Sequence, residues 1–280
     1  MVNSSVKSLL ADATLRLRAA GCDAPRLDAE LLLCHSLQCG RTALIVRAND
    51  ALPSSVTANF EALLMRRLAR EPLAYILGEK EFWSRPFRVT PDVLIPRPET
   101  EHLIEAVLAR FPERERRYRF CDIGTGSGCI AVTLACEYPQ AEIIAIDISA
   151  AALAIARDNA SRHHVAARID FRQGDMLTPL ALEEGVNAII SNPPYVSQSE
   201  MASLAKELAF EPQQALTDHA DGLQFLTTIL THAPAHLITG GYVIVETGSC
   251  GLPATPDRLT METTITDLAG LLRGGIYRYP

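Results

Sequence analysis

Residues 121–129 read CDIGTGSGC; the strand-like YRFCDIG runs into this stretch and the helix-like CIAVTLACEY runs out of it. A glycine-rich turn joining a strand to a helix is where an α/β sheet lets a ligand approach the backbone. The spacing narrows the ligand. A dinucleotide fingerprint needs G-x-G-x-x-G, whereas here Gly124, Gly126 and Gly128 alternate and Cys129 fills the slot of the expected third glycine. Asp122 precedes the loop, so a carboxylate stands where a pyrophosphate would be repelled. A ligand with a cationic amino-acid end fits better.

Downstream, strands and helices alternate: AEIIAIDIS, AAALAIARDNASRH, RIDFRQGD, NAIISNPPY, DGLQFLTTILTHAPAHLI and GYVIVETG. Such alternation predicts an α/β fold, a mostly parallel sheet with helices on both faces. Asp147 closes the second strand, where a carboxylate can accept both ribose hydroxyls. Asp175 and Met176 close the third; the carboxylate can accept from an exocyclic adenine amine and the thioether can pack on the ring. Three carboxylates at successive strand ends beside DxGxGxG describe an adenosine carrying an amino-acid tail, S-adenosylmethionine. Thr125 and Ser127 complete the loop and are counted with its glycines as cofactor-binding.

At 280 residues the chain can bury a full-size core and carry two domains. Its 48% hydrophobic and 21% charged residues fit a globular protein, and a net charge of −7 argues against a large duplex-DNA footprint. Cys22, Cys34, Cys39, Cys121, Cys129, Cys136 and Cys250 show no CxxC pairing, so no disulfide framework or metal site is expected. No apolar run reaches 18 residues, and MVNSSVKSLLADATLRLRAAG lacks a signal-peptide core; its amphipathic, Arg-bearing pattern leaves a transit peptide as the lesser alternative to the cytoplasmic, non-membrane protein that is expected.

Residues 1–75 read as helices, with Val56, Phe60, Leu63, Leu64 and Leu68 on one stripe and Ser54 or Ser55 placed to cap it. Residues 76–101 change texture. Aromatic and β-branched residues alternate with turn formers, and Pro86, Pro91, Pro96 and Pro98 exclude a helix, predicting a hairpin and a proline-stiffened linker. Residues 102–280 form the ligand-binding domain.

Several motifs in order carry a resemblance. DIGTGSG with Asp147 resembles the class I methyltransferases, and SNPPY at 191–195 narrows this to enzymes that methylate planar nitrogens. REPLAYILGEKEFW (70–83), IPRPETE (95–101), FEP (210–212) and DGL (221–223) are similar to the HemK/PrmC family, from about residue 5 to about 248. The resemblance implies a Rossmann-like sheet that binds S-adenosylmethionine, and a small helical N-terminal domain that recognises substrate. It also implies methylation of the N5 amide of the glutamine in the GGQ loop of class I peptide chain release factors. After VETG the chain departs from the family pattern: SCGLPATPDRLTMETTITDLAGLLRGG is rich in turn formers and lacks a helical stripe.

An amide nitrogen is a poor nucleophile because its lone pair is delocalised, and it carries two N–H donors that need acceptors when buried. Asn192 offers a side-chain oxygen and Pro193 a carbonyl. Held off the amide plane, these acceptors orient the lone pair and favour the pyramidal nitrogen of the transition state. Pro193 and Pro194 stiffen the turn, and Tyr195 offers a flat face to the amide. Asn192, Pro193 and Tyr195 are therefore the expected catalytic residues, with Pro194 on the substrate side and Asn192 also touching cofactor. Arg97 and Glu99 either close over the ligands or form a charged surface linker. Similar turns serve adenine-N6 and guanine-N2 methylation of nucleic acid, but no basic target-recognition region is present. A non-catalytic adenosine-binding regulator would be expected to lose NPPY.

Overall fold

The computed structural model describes residues 5–280. The chain divides into two units, one holding the chain up to Gly78 with Ala205–Phe210, the other Glu79–Leu204 with Glu211–Pro280.

The first unit is helical: α1 (Val6–Ala19), α2 (Pro25–Leu37), α3 (Arg41–Val46), α4 (Ser54–Leu68) and α5 (Leu73–Leu77). Its core joins Leu10, Leu17, Leu32, Leu33, Phe60 and Leu64, each buried side chain contributing roughly 1.5–3 kcal/mol. The predicted stripe on α4 faces this core, with Phe60 and Leu64 buried and Val56, Leu63 and Leu68 packed at its margin. The predicted serine cap is corrected. Pro53 occupies the N-cap and no side chain caps the helix, because Ser54 already lies inside it. Residues 205–210 join this unit through Glu207, which accepts from Arg70 Nη2 at 2.7 Å and from Arg67 at 3.2 Å. Arg67 is also paired with buried Asp28 at 2.8 Å.

The second unit opens with the predicted hairpin, β1 (Glu79–Phe82) against β2 (Arg85–Arg88). Its two-residue turn places Trp83 and Ser84 at φ 51° and 55°, a left-handed pair unusual for non-glycine residues. Glu101 and Glu137 hold that turn by accepting from the Trp83 backbone N–H at 2.7 Å and its indole N–H at 3.1 Å. The unit continues with α6 (Glu101–Arg110), β3 (Arg119–Ile123), α7 (Cys129–Glu137), β4 (Glu142–Asp147), α8 (Ala150–Arg162) and β5 (Ile169–Gln173). It ends with β6 (Val186–Ser191), α9 (Gln224–His232), β7 (Leu237–Glu246), β8 (Thr260–Thr266) and β9 (Leu272–Arg278).

The seven strands run in the order β5-β4-β3-β6-β7-β9-β8, parallel from β5 through β7. Side chains alternate strictly between the two faces. Phe120, Ile143, Ala188 and Ile244 enter one core with α6 and α7, while Cys121, Ile144, Ile189 and Val243 enter the other with α9. The order reverses between β4 and β6 across β3, so the carboxyl end of β3 is the topological switch point where such sheets bind ligands.

One detail differs from the sequence reading. The apolar stretch around α9 stops at His232 ahead of Pro234, and Leu237 and Ile238 already belong to β7. The atypical segment after VETG contains no helix among the described residues; it leads into β9, which inserts antiparallel between β7 and β8. All seven cysteines are free thiols. Among the described residues no helix is long and apolar enough to cross a membrane.

Candidate active site

The carboxyl ends of β3, β4, β5 and β6 border one cleft of about 200 Å³, whose lining also includes Leu94, Pro212 and Phe225. Of the residues singled out in the sequence, Gly124, Gly126, Asp147, Asp175, Met176, Asn192, Pro193 and Pro194 line it. Asp122, Thr125, Ser127, Gly128 and Tyr195 stand outside that lining.

The glycines divide the work. Gly124 has φ +70°, and a Cβ built on it would meet nothing within 4 Å, so its face is open to a ligand. At Gly128 a Cβ would lie 3.1 Å from that of Ala156, so this glycine lets α8 pack against the loop. Asn159 of α8 braces the loop. Fully buried, it donates to the Ser127 carbonyl at 2.8 Å and exchanges two bonds with the Arg88 backbone, at 2.7 and 3.0 Å.

Asp147 reaches the loop from β4. Its Oδ2 accepts from Gly126 N at 2.8 Å and its Oδ1 from Ser149 N at 2.9 Å. A carboxylate has about four acceptor positions, so this one keeps capacity for the vicinal hydroxyls of a ligand. Burial raises its pKa above the usual carboxylate value.

Asp122 works from behind. Completely buried, it accepts at Oδ2 from Thr125 Oγ1 at 2.6 Å and from Ala131 N at 3.1 Å, while Oδ1 has no partner among the described residues. Burial pushes its pKa up to about 7. A buried, half-satisfied carboxylate beneath an open glycine fits a cationic ligand, which lowers the cost of ionising it. The residues present thus fit an adenosine with a cationic amino-acid tail.

That fit has a measurable consequence. A cation drawn to the loop stabilises ionised Asp122, so binding S-adenosylmethionine at pH 7 is expected to release roughly half a proton per site. Calorimetry in buffers of different ionisation enthalpy reads this directly. The release should fade by about pH 9, where the carboxyl is already ionised, and vanish in Asp122→Asn. Unchanged release in that variant would remove Asp122 from the site's electrostatics.

The NPPY turn leaves β6 at Ser191. Asn192 Nδ2 donates to Thr100 Oγ1 at 3.0 Å, which leaves Oδ1 as the amide end available to a ligand. Thr100 donates in turn to Glu246 Oε2 at 2.7 Å, and Tyr195 donates to Glu246 Oε1 at 2.9 Å. The Tyr195 ring lies against the backbone at Gly248, where a Cβ would come within 2.7 Å of it. Burial, with the adjacent Glu246, raises the Tyr195 pKa and keeps the phenol protonated.

Arg97 proves to be a strut. Its Nη2 donates to Glu211 Oε1 at 2.6 Å, and Glu211 Oε2 accepts from Ile95 N at 3.1 Å, tying IPRPETE to FEP. Sequence reading missed Thr100, Asn159, Glu211 and Glu246 as site residues. Glu246 was findable by the rule that found Asp147, a carboxylate ending a strand of this sheet; Asn159, on the buried face of a helix, gives no such signal.

A model of the PrmC N-terminal domain matches residues 8–78, and one of the methyltransferase small domain matches residues 100–223. The chain is 44% identical over 279 residues to the release factor glutamine methyltransferase of Nitratidesulfovibrio vulgaris, covering 97% of this chain and 94% of that one. It is 47% identical over 235 residues to that of Cereibacter sphaeroides, covering 84% and 82% of the two chains. Among solved structures, the hMettl16 catalytic domain in complex with MAT2A 3'UTR hairpin 6 superposes with a TM-score of 0.50 at 15% identity, over 69% of this chain and 74% of that one. At that identity the likeness is one of fold alone.

Proposed function

The chain belongs to the release factor glutamine methyltransferase family, and on that premise we propose that it methylates the N5 amide of the glutamine in the GGQ loop of class I peptide chain release factors. S-adenosylmethionine is the methyl donor; bound at the switch point, it supplies a methyl group already activated on a sulfonium. The reading places the enzyme in the cytoplasm beside its substrates.

One observation carries the choice of a planar amide. Asn192, at the rim of the cofactor cleft, spends its amide donor on Thr100 and keeps its oxygen for a ligand. That oxygen and the Pro193 carbonyl are two acceptors on one rigid turn, matching the two N–H donors of a primary carboxamide. Pairing with both holds the nitrogen lone pair toward the methyl group and strengthens as the nitrogen pyramidalises. Positioning then supplies much of the acceleration: the amide nitrogen takes the methyl group, S-adenosylhomocysteine leaves as the neutral thioether, and the methylated nitrogen gives its surplus proton to water, so no strong base is required. The helical unit is our candidate for recognising the release factor.

The test offers labelled S-adenosylmethionine with purified release factor, with its GGQ glutamine variant Gln→Asn, and separately with tRNA, rRNA and DNA. Label is expected on the unaltered release factor alone. Transfer to a nucleic acid with none to the release factor would overturn the assignment.

A further inference from the structure

Behind the cleft wall, a second set of side chains reaches the NPPY turn. Strand β7 lies beside β6 with Val245 opposite Ser191, so Glu246 comes level with Asn192. The short turn Pro98–Thr100 brings Thr100 to the same edge. Thr100 and Glu246 are each 2% exposed and neither lines the cleft. A buried carboxylate without a cation in contact is costly to keep, and here its bonding partners are the hydroxyls of Thr100 and Tyr195.

We infer that Thr100 and Glu246 are positioning residues that set the amide orientation of Asn192, an inference resting on the amide-methylation reading above. The argument is one of proton direction. An ionised carboxylate only accepts, so the single Thr100 proton must point at Glu246. Thr100 Oγ1 can then only accept from Asn192, which requires Nδ2 inward and Oδ1 toward the substrate. Tyr195 gives its proton to the same carboxylate, so Glu246 fixes both ends of the turn.

Protonating Glu246 undoes this logic. A carboxylic acid can donate to Thr100, whose own proton then turns to Asn192 and favours the flipped amide. The flipped amide presents N–H groups to the N–H groups of the substrate. The groups facing Glu246 are Thr100 and Tyr195 by hydrogen bonds, Glu99 from the Pro98–Thr100 turn, the Cys129 thiol at the start of α7, held protonated by burial, and Arg273 from β9, itself paired with Asp267 at 2.9 Å. Burial, aided by Glu99, raises the Glu246 pKa to about 7 against the pull of the hydroxyls and Arg273. The competent form is the ionised one, so activity should fall as pH drops through this value.

Single-turnover methyl transfer to a purified release factor, at saturating S-adenosylmethionine from pH 6 to 9, tests the inference in four proteins. Thr100→Val keeps the shape and removes the hydroxyl; it should slow transfer roughly 10- to 50-fold. Thr100→Ser should recover to within about threefold of wild type, since it restores the donor. Glu246→Gln retains an acceptor for Thr100 but cannot ionise, so it should lose the acid limb seen in wild type. All should bind S-adenosylhomocysteine by calorimetry as wild type does, which also reports intact folding. Transfer by Thr100→Val at the wild-type rate, or an acid limb persisting in Glu246→Gln, overturns the inference while the functional reading stands. Thr100→Ser as slow as Thr100→Val overturns it too, because packing would then be the cause. A wild-type enzyme inactive on release factor overturns both.

Discussion

Asn192→Ala is expected to lower single-turnover methyl transfer by about 10²–10³ while changing affinity for S-adenosylhomocysteine by less than about twofold. Removing the side chain deletes one of two acceptors for the substrate amide and frees Thr100 Oγ1, but leaves the cofactor loop and its carboxylates untouched. The loss falls on an interaction that strengthens only as the nitrogen pyramidalises, so it belongs in kcat. Losing one oxyanion-hole donor sets the scale. Asn192→Asp sharpens the test. It keeps an acceptor, loses the donor to Thr100, and adds a charge near the sulfonium that stabilises the ground state more than the charge-dispersed transition state. It too should be slow. Transfer by Asn192→Ala at the wild-type rate would make NPPY a structural turn only.

What the sequence makes legible follows from what is local. The parallel part of the sheet shows because its strands are buried on both faces and read as apolar runs separated by helices. The glycine loop shows because only one residue type tolerates its backbone and its open face. The brace behind the turn is different in kind. Thr100 and Glu246 are far apart in sequence yet share a hydrogen bond, and each alone reads as a linker hydroxyl or one more strand-end acid. Arg97 likewise reads as a candidate contact until Glu211 is seen opposite it. The C-terminal hairpin was hidden for another reason. An exposed edge strand such as β8, with only Ile265 buried, needs no hydrophobic pattern because its partner β9 supplies the core contacts.

Asp147→Ala should show the opposite split, raising the cofactor dissociation constant by about 10² and changing kcat at saturating cofactor by less than about threefold. On our reading Asp147 holds the ribose, away from the reacting methyl group, so those hydrogen bonds are equally strong in ground and transition states and cost binding alone. The carboxylate also organises the site before any ligand arrives, by accepting from Gly126 N and from Ser149 N at the start of α8. Losing it frees two backbone donors, so the ligand-free protein should also melt a few degrees lower. Asp147→Asn keeps the shape and one acceptor and should fall between the two in both affinity and melting temperature. Calorimetric titration with S-adenosylhomocysteine gives the first quantity and single-turnover transfer at saturating cofactor the second. If Asp147→Ala binds normally but transfers slowly, the carboxylate acts on the reaction and not on the ribose, and the division of labour between β4 and β6 is wrong.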